Sequence, residues 1–169
     1  MKVAVVVFPG TNCDRDTVAA VEAVGHKAER LWHASTDPLS PYDAIVLPGA
    51  LLRNDSLQFR SEWVHCRVEA PVWGLQPGAI LRMPIAHGMG NYFPDPAAPP
   101  VEVALRYCDA SGRATAEANP NGSWDNVAGV ASGNVFGLMP HPERAISELL
   151  GSTDGRYIFG ALVKELVAV

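Results

Sequence analysis

One histidine and one carboxylate stand two positions apart in the segment His141-Pro142-Glu143. A residue before proline favours extended backbone, and in an extended segment positions two apart lie on the same side. Glu143 is therefore placed to hold the imidazole of His141 in one tautomer, as the orienter does for the base in a nucleophile, base and orienter triad. A surface histidine before a helix-starting glutamate is the simpler interpretation of the triplet alone, so the rest of the chain must decide.

Three cysteines are the candidate nucleophiles, and none stands in a sequence typical of an activated thiol. Cys13 comes just before a predicted helix start, which lowers a thiol pKa, but it lacks the strained strand-to-helix elbow that exposes a nucleophile. Cys66 and Cys108 fall within predicted strands as inert packing residues. The odd and scattered set indicates neither a disulfide framework nor a zinc cluster, and it favours a reducing compartment.

Two loops are further candidates for binding. The segment 8–12 follows the first strand at its carboxyl end, where open α/β sheets bind ligands, although an ordinary connecting loop explains it too. It is not a phosphate loop, because the spaced glycines and the Gly-Lys-Ser/Thr ending are missing. The loop His87-Gly88-Met89-Gly90 positions His87 for chemistry or is simply a turn.

The elements that must position these residues begin with an apolar, valine-rich run over 2–7, which is typical of a strand buried on both faces of a parallel sheet. Val18, Val21 and Val24 follow at helical spacing, and Gly25 is placed to end that helix. Strands are expected over 27–32 and, again buried, over 43–47. The first quarter of the chain is thus predicted to be a βαβ unit with a third strand.

The remainder of the chain has a different pattern of predicted elements. Segments 57–69 and 78–86 are strand-like with no good helix between them, which predicts antiparallel pairing. Alternation predicts a half-buried strand over 101–106, and the proline-rich stretch 92–100 is a loop rather than a domain linker. A strand pair over 126–131 and 134–139 is joined through Ser132-Gly133, and a last helix over 154–167 takes Asp154 as its cap.

Composition limits the possible partners. The 169 residues, 48% of them hydrophobic, suffice for one packed domain, which we expect to span 1–169. Thirteen Lys and Arg against eighteen Asp and Glu give a net charge of −5, the wrong sign for a protein held mainly to phosphate backbones, so nucleic acid is not expected as a partner. The apolar runs are of strand length, which argues against membrane insertion and favours a cytoplasmic protein.

Taken together, five segments resemble one family, the glutaminase subunit of phosphoribosylformylglycinamidine synthase, a class I glutamine amidotransferase of purine biosynthesis. The resemblance runs from the first strand to the last helix. The segments are FPGTNCDRD (8–16), LLRNDSL (51–57), PIAHG (84–88), EANPNGS (117–123) and GLMPHPER (137–144).

The resemblance implies an α/β fold: an open, largely parallel sheet flanked by helices, with an antiparallel strand excursion. It implies a Cys-His-Glu triad that releases ammonia from glutamine, in which His141 matches the general base and Glu143 its orienter. The expected partners are a large synthetase subunit, which uses ATP to amidate formylglycinamide ribonucleotide, and a small assembly subunit. No cofactor or metal is expected in this chain.

The chain departs from the family at the nucleophile. The family cysteine stands in a Gly-x-Cys-x-Gly elbow after a central strand, and no such sequence occurs here. In the family a Leu-Pro-Gly-Gly turn and a later Leu-Pro-Gly-Ala-Leu flank that strand, whereas here Leu47-Pro48-Gly49 runs directly into Ala50-Leu51. We therefore expect an internal deletion at about 49–50 that removes the elbow and the loop supplying oxyanion donors. Met89 is a smaller departure, because the family usually has an acidic residue after His-Gly.

The deletion leaves two hypotheses open. In the first, the chain belongs to an ammonia-supplying enzyme whose glutaminase activity depends on the missing segment. In the second, the chain is a noncatalytic docking subunit of the same synthase. Substitution of Cys13 for the missing nucleophile is the less favoured route to activity, because a relocated thiol without oxyanion donors loses most of the rate.

Overall fold

The computed structural model describes residues 1–7, 14–46, 52–94, 100–133 and 135–167. The loop 8–12, Cys13 and the junction at Leu47-Pro48-Gly49, which the sequence singles out, lie outside these ranges. The elements in chain order are β1 (Lys2–Val7), α1 (Asp14–Ala23), β2 (Lys27–Trp32), β3 (Ala44–Val46), β4 (Arg60–Val68), β5 (Ile80–His87), β6 (Glu102–Cys108), β7 (Val127–Ser132), β8 (Val135–Leu138) and α2 (Gly155–Val167).

The first three strands form a parallel sheet in the order β2-β1-β3. The central strand β1 is buried through its middle, as the valine-rich run predicts. Val3 packs against Ala20 and Val21 of α1 and against Phe159 of α2. The predicted βαβ unit is confirmed.

The prediction of a buried third strand is wrong. β3 is only three residues long, and Ile45 at its centre is 41% exposed. Among the described residues β3 pairs with β1 alone, so the other edge of this strand has no neighbouring strand. Apolar sequence identifies a strand of a parallel sheet, but burial depends on the neighbours that the sheet supplies.

The other five strands form an antiparallel sheet in the order β5-β4-β6-β7-β8. The α/β class with a parallel and an antiparallel part is confirmed, and the antiparallel part is the larger one. Val64 of β4 faces Met83 of β5, and Cys66 faces Tyr107 of β6. These side chains join the main hydrophobic cluster.

Helix α2 connects the two sheets. Its residues Ile158 and Ala161 belong to the cluster of the antiparallel sheet, while Phe159 packs with β1 and α1. Asp154, predicted as the cap of this helix, accepts a hydrogen bond from the backbone nitrogen of Arg82 in β5 at 2.8 Å. In the described part of the chain, no helix has the length and apolar character needed to cross a membrane.

Candidate active site

The chain leaves β8 and curls back to the opposite edge of the antiparallel sheet. Met139 donates from its backbone nitrogen to the Ala128 carbonyl at 3.0 Å, and His141 donates to the Pro84 carbonyl of β5 at 2.8 Å. Pro142–Arg144 then form one 3₁₀ turn, with proline at a position where a missing N–H costs nothing. The hydrogen bond to Pro84 thus places His141 beside β5, and Glu143 follows within the 3₁₀ turn.

His141 and Glu143 are in contact. Nδ1 of His141 lies 2.6 Å from Oε1 of Glu143, and the glutamate side chain is only 6% exposed against 18% for the histidine. A carboxylate oxygen only accepts, so Nδ1 is the donor and Nε2 is left with a lone pair that can take a proton. The contact is the one that the predicted base and its orienter require, and the catalytic role of the two residues stays a prediction.

A close approach between main chains fixes the turn that carries this pair. The Gly155 nitrogen at the start of α2 donates to the Ala145 carbonyl at 2.7 Å. A β-carbon built on Gly155 would overlap the Pro142 carbonyl, so only glycine fits there. The helix that spans both sheets therefore also determines where the His141–Glu143 pair lies.

A cleft of about 480 Å³ opens beside Glu143. Arg144 lies at its edge, 3.9 Å from Oε1 of Glu143 and 3.6 Å from Oδ2 of Asp16. The lining residues come from α1, β4, β5, the 3₁₀ turn and the segment after it: Asp16, Ala19, Trp63, Pro84, Glu143, Arg144, Ile146 and Leu150. The cleft is thus mostly apolar, with two carboxylates and a guanidinium at one side.

His87 is buried at the end of β5 rather than exposed in a turn. Its Nδ1 lies 3.1 Å from Oδ1 of Asn54, which also accepts from the Gly90 nitrogen, and its Nε2 lies 3.5 Å from Nδ2 of Asn121. Burial lowers the pKa of His87, and the electrostatic interaction with His141 lowers it further. Burial therefore disfavours the protonated form of His87.

Asn54, Asn121 and Ser123 form a buried polar network that the sequence alone does not reveal. The Asn121 amide donates to the Gly90 carbonyl at 2.7 Å and to the Tyr107 hydroxyl at 3.2 Å, and Ser123 donates to Oδ1 of Asn121 at 2.6 Å. Their motifs, RNDS and NPNGS, contribute to the resemblance. Their convergence on His87 is decided by the pairing of distant strands.

The thiols that the structure describes are poor nucleophiles. Cys66 and Cys108 are buried in β4 and β6, as predicted, and burial raises the pKa of both. Within the described ranges no cluster of three or more His, Cys, Asp or Glu side chains is arranged to hold a metal ion. Burial therefore makes both described thiols poor candidates for the nucleophile.

The chain resembles known proteins over nearly its whole length. Residues 39–156 match the CobB/CobQ-like glutamine amidotransferase domain. The phosphoribosylformylglycinamidine synthase subunit PurQ of Pyrococcus furiosus is 38% identical, with 97% of this chain and 98% of that protein covered. PurQ of Symbiobacterium thermophilum is 34% identical, with 98% and 97% covered.

Solved structures agree with the sequence relatives. A chain in the structure of PurLQS from Thermotoga maritima matches with a TM-score of 0.83 and 32% identity, covering 98% of each chain. A GMP synthase subunit from Thermoplasma acidophilum matches with a TM-score of 0.59 and 12% identity, covering 99% of this chain and 95% of that one. The second match shows a shared fold only.

The relatives are longer than this chain in the interior. The alignment with the Pyrococcus protein extends over 221 residues, 52 more than the 169 of this chain, although it covers nearly all of both proteins. The alignment with the Symbiobacterium protein extends over 229 residues, 60 more. At least 52 residues of such relatives therefore have no counterpart here.

Proposed function

The chain belongs to the PurQ family of class I glutamine amidotransferases, and we propose that it is the glutaminase-type subunit of a phosphoribosylformylglycinamidine synthase whose own glutaminase activity is lost. Intact members would release ammonia from glutamine for amidation of formylglycinamide ribonucleotide in purine biosynthesis. The observation that carries the proposal is the His141–Glu143 contact at 2.6 Å in the GLMPHPER segment.

In glutamine hydrolysis the His141–Glu143 pair would act as the base and its orienter. In glutamine hydrolysis a thiol loses its proton to a base, and the thiolate attacks the side-chain amide carbon to form a tetrahedral intermediate. The C–N bond then breaks as the imidazolium returns the proton to the leaving nitrogen, which gives ammonia and a thioester that water hydrolyses. Nε2 of His141 would hold the proton between these steps, and Glu143 would keep the imidazole oriented.

The nucleophile is the missing part. The Gly-x-Cys-x-Gly elbow occurs nowhere in the 169 residues, and the thiols of Cys66 and Cys108 are buried. An internal loss of at least 52 residues, which we place at about 49–50, accounts for the absence of the elbow and of its oxyanion donors together. Triad members act as a unit, so the remaining pair retains little of the catalysis.

A noncatalytic docking role is the second candidate for this polypeptide. The missing elbow favours it, because surfaces outside the gap remain available to partner subunits. The expected partners are the large synthetase subunit and the small assembly subunit, and the ATP would be used by the large subunit. This chain itself would need no cofactor.

The test compares amidine formation from glutamine and from ammonium, with this chain and its partner subunits. We expect turnover with ammonium only, because the synthetase chemistry requires ammonia but not its source. A second chain with the elbow segment of a relative inserted after Gly49 should gain glutamine-dependent turnover. Glutamine-dependent turnover by the unmodified chain would overturn the proposed deficiency, and stoichiometric labelling of Cys13 by a glutamine-like electrophile would identify the substitute nucleophile.

A further inference from the structure

His87 lies where three loops meet at one end of the antiparallel sheet. The loops are 52–59 before β4, 88–93 after β5 and 117–123 between β6 and β7. Backbone hydrogen bonds join the first loop to the other two, from Asn54 to the Gly88 carbonyl at 3.0 Å and from Asp55 to the Asn121 carbonyl at 3.2 Å. The buried ring of His87 contacts side chains from two of these loops.

Asn54 determines which ring nitrogen of His87 carries the hydrogen. The Asn54 amide nitrogen donates to the carbonyls of Gln58 at 2.8 Å and of His87 at 2.9 Å, which leaves the amide oxygen towards the ring. That oxygen accepts from the Gly90 backbone nitrogen at 3.0 Å and lies 3.1 Å from Nδ1 of His87. Because an amide oxygen can only accept, Nδ1 is the donor, and a further proton has to go to Nε2.

Asn121 turns the donor side of a second amide towards that Nε2. The Asn121 amide nitrogen lies 3.5 Å from Nε2 and donates to the Gly90 carbonyl at 2.7 Å. Its oxygen accepts from the hydroxyl of Ser123 at 2.6 Å and from the backbone nitrogen of Ser123 at 3.1 Å, which opposes a reversal of the amide. A proton on Nε2 would therefore point at an N–H group.

Gly90 leaves the ring of His87 little room to turn away. A β-carbon built on Gly90 would overlap the imidazole, so the ring packs directly against the Gly90 backbone. The same glycine is held on both sides, at its nitrogen by Asn54 and at its carbonyl by Asn121. A charged ring could be accommodated only if the loops that carry these residues shift.

The titratable groups nearest to His87 do not favour a positive charge there. Tyr107 of β6 shares the Asn121 amide with His87, and burial raises the pKa of the Tyr107 hydroxyl, which keeps it uncharged. His141 of the 3₁₀ turn interacts electrostatically with His87, and this interaction, like burial, lowers the pKa of His87. Neither group supplies a negative charge to the ring.

The charged side chains on the other neighbouring elements bond elsewhere or face solvent. Arg60 stands opposite His87 in the register of β4 with β5, and its Nε donates to a backbone carbonyl of the third loop at 3.1 Å and lies 3.3 Å from Oε1 of Glu62. The charged residues of the loops are exposed: Arg53, Asp55 and Glu117. In the described part of the chain, both hydrogen-bond partners of the His87 ring are thus amides.

We propose that His87 is a pH-dependent switch, which holds the three loops together while its ring is neutral and releases them when Nε2 takes up a proton. In the open form water solvates the imidazolium, which the closed site does not. The open form binds one proton more than the closed form, so its population rises as the pH falls below about 6.5, the ordinary pKa of histidine. The switch is a property of the loops and does not depend on the proposed function.

Amide hydrogen exchange of the full chain, measured by NMR and corrected for the intrinsic rate at each pH, tests the switch. The protection of the Asn54, Gly90 and Asn91 amides, which bond between or within these loops, should fall about 3- to 10-fold between pH 7.5 and pH 5.5. About tenfold is the limit for one proton over this range. Protection of the amides that pair β4 with β5 should change less than twofold.

Two variants identify the proton and its position. His87→Gln removes the titrating group, so the protection of the loop amides should no longer depend on pH. Asn121→Asp places a carboxylate opposite Nε2, which favours the protonated ring, so protection should rise as the pH is lowered to 5.5. The matched control is His65→Gln, in β4 outside the junction, which should retain the response of the parent chain. Thermal melts check that each variant is folded.

Four outcomes would overturn the switch. The first is a change of less than twofold in the loop amides of the parent chain, and the second is a parent-like response in His87→Gln, because another group would then carry the titration. The third is a fall in Asn121→Asp as steep as that of the parent, which would exclude Nε2 as the site of protonation. The fourth is an equal loss of protection between β4 and β5, which would indicate global unfolding instead of release of the loops.

Discussion

In the five-stranded sheet the buried cluster draws on β4 to β7 and on α2, whereas in the three-stranded sheet it comes from β1, α1 and the single residue Phe159 of α2. An antiparallel sheet can leave one face in water, so the larger sheet is complete as it stands. A parallel sheet needs cover on both faces and strands on both sides. The exposure of Ile45, 41% of its surface, shows that β3 is not covered in this way.

The difference agrees in position with the internal deletion that we propose at about 49–50. The resemblance places the missing loop, helix and elbow-bearing strand after β3 in the chain, and β3 pairs with no described strand other than β1. The His141–Glu143 pair, by contrast, depends on β5, β8 and α2, which remain in place. The proposed deletion would therefore remove the nucleophile from the smaller sheet and leave the His141–Glu143 pair on the larger one.

The largest expected effect contrasts core truncations in the two sheets. Met83→Ala removes a fully buried side chain from the larger cluster and should lower the free energy of unfolding by roughly 2–5 kcal/mol. Ile45→Ala removes a half-exposed side chain and should cost less than about 1 kcal/mol. Urea unfolding measures both. Equal costs would show that the smaller sheet is packed as tightly as the larger one.

The second effect concerns the helix that joins the sheets. Gly155→Ala places a methyl group against the Pro142 carbonyl, and we expect a loss of about 1–3 kcal/mol together with a displaced His141. Gly160→Ala is the matched control, because its β-carbon meets nothing within 4 Å and alanine favours a helix, so stability should rise by about 0.5–1 kcal/mol. Thermal melts measure the stability of each variant, and the imidazole NMR signals of His141 report a change in its surroundings. Unchanged His141 signals in Gly155→Ala would contradict the link between the start of α2 and the position of His141.

A third effect is the pH dependence of stability that arises from His87 in the antiparallel sheet. The pKa of His87 is lowered in the folded chain, so below about pH 6.5 the unfolded chain binds more protons than the folded chain and stability falls as the pH falls. Protonated Nε2 would face the Asn121 amide donor and His141. His87→Gln should flatten the Tm profile between pH 8 and pH 5.5 relative to the parent. A profile as steep as that of the parent would exclude His87 as the cause.

The smallest effect is expected at the strained turn. Leu57→Gly should raise the free energy of unfolding by a few tenths to about 1 kcal/mol, because glycine adopts φ of +57° without steric cost. Leu39→Gly, at a half-exposed leucine without a positive φ, should instead be neutral or destabilising. Chemical denaturation at matched protein concentration resolves the two. A stability loss in Leu57→Gly would mean that the leucine side chain contributes more contact than its exposure indicates.

The sequence alone determined the order of elements, the βαβ opening, the antiparallel remainder and the pairing of His141 with Glu143. It could do so because periodicity and proline geometry are local: valine-rich runs specify strands, and two positions on one side of an extended segment are near one another in any fold. The absent elbow is likewise a fact of the sequence.

Only the tertiary structure decided which of these elements are buried and which polar groups meet. The exposure of β3 depends on neighbours that no local pattern of 44–46 can reveal. Asn54, His87 and Asn121 lie 33 to 67 residues apart in sequence and converge because β4, β5 and β6 bring their ends together. Burial and long-range hydrogen bonds are properties of the packed chain, since each requires a partner that the sequence places far away.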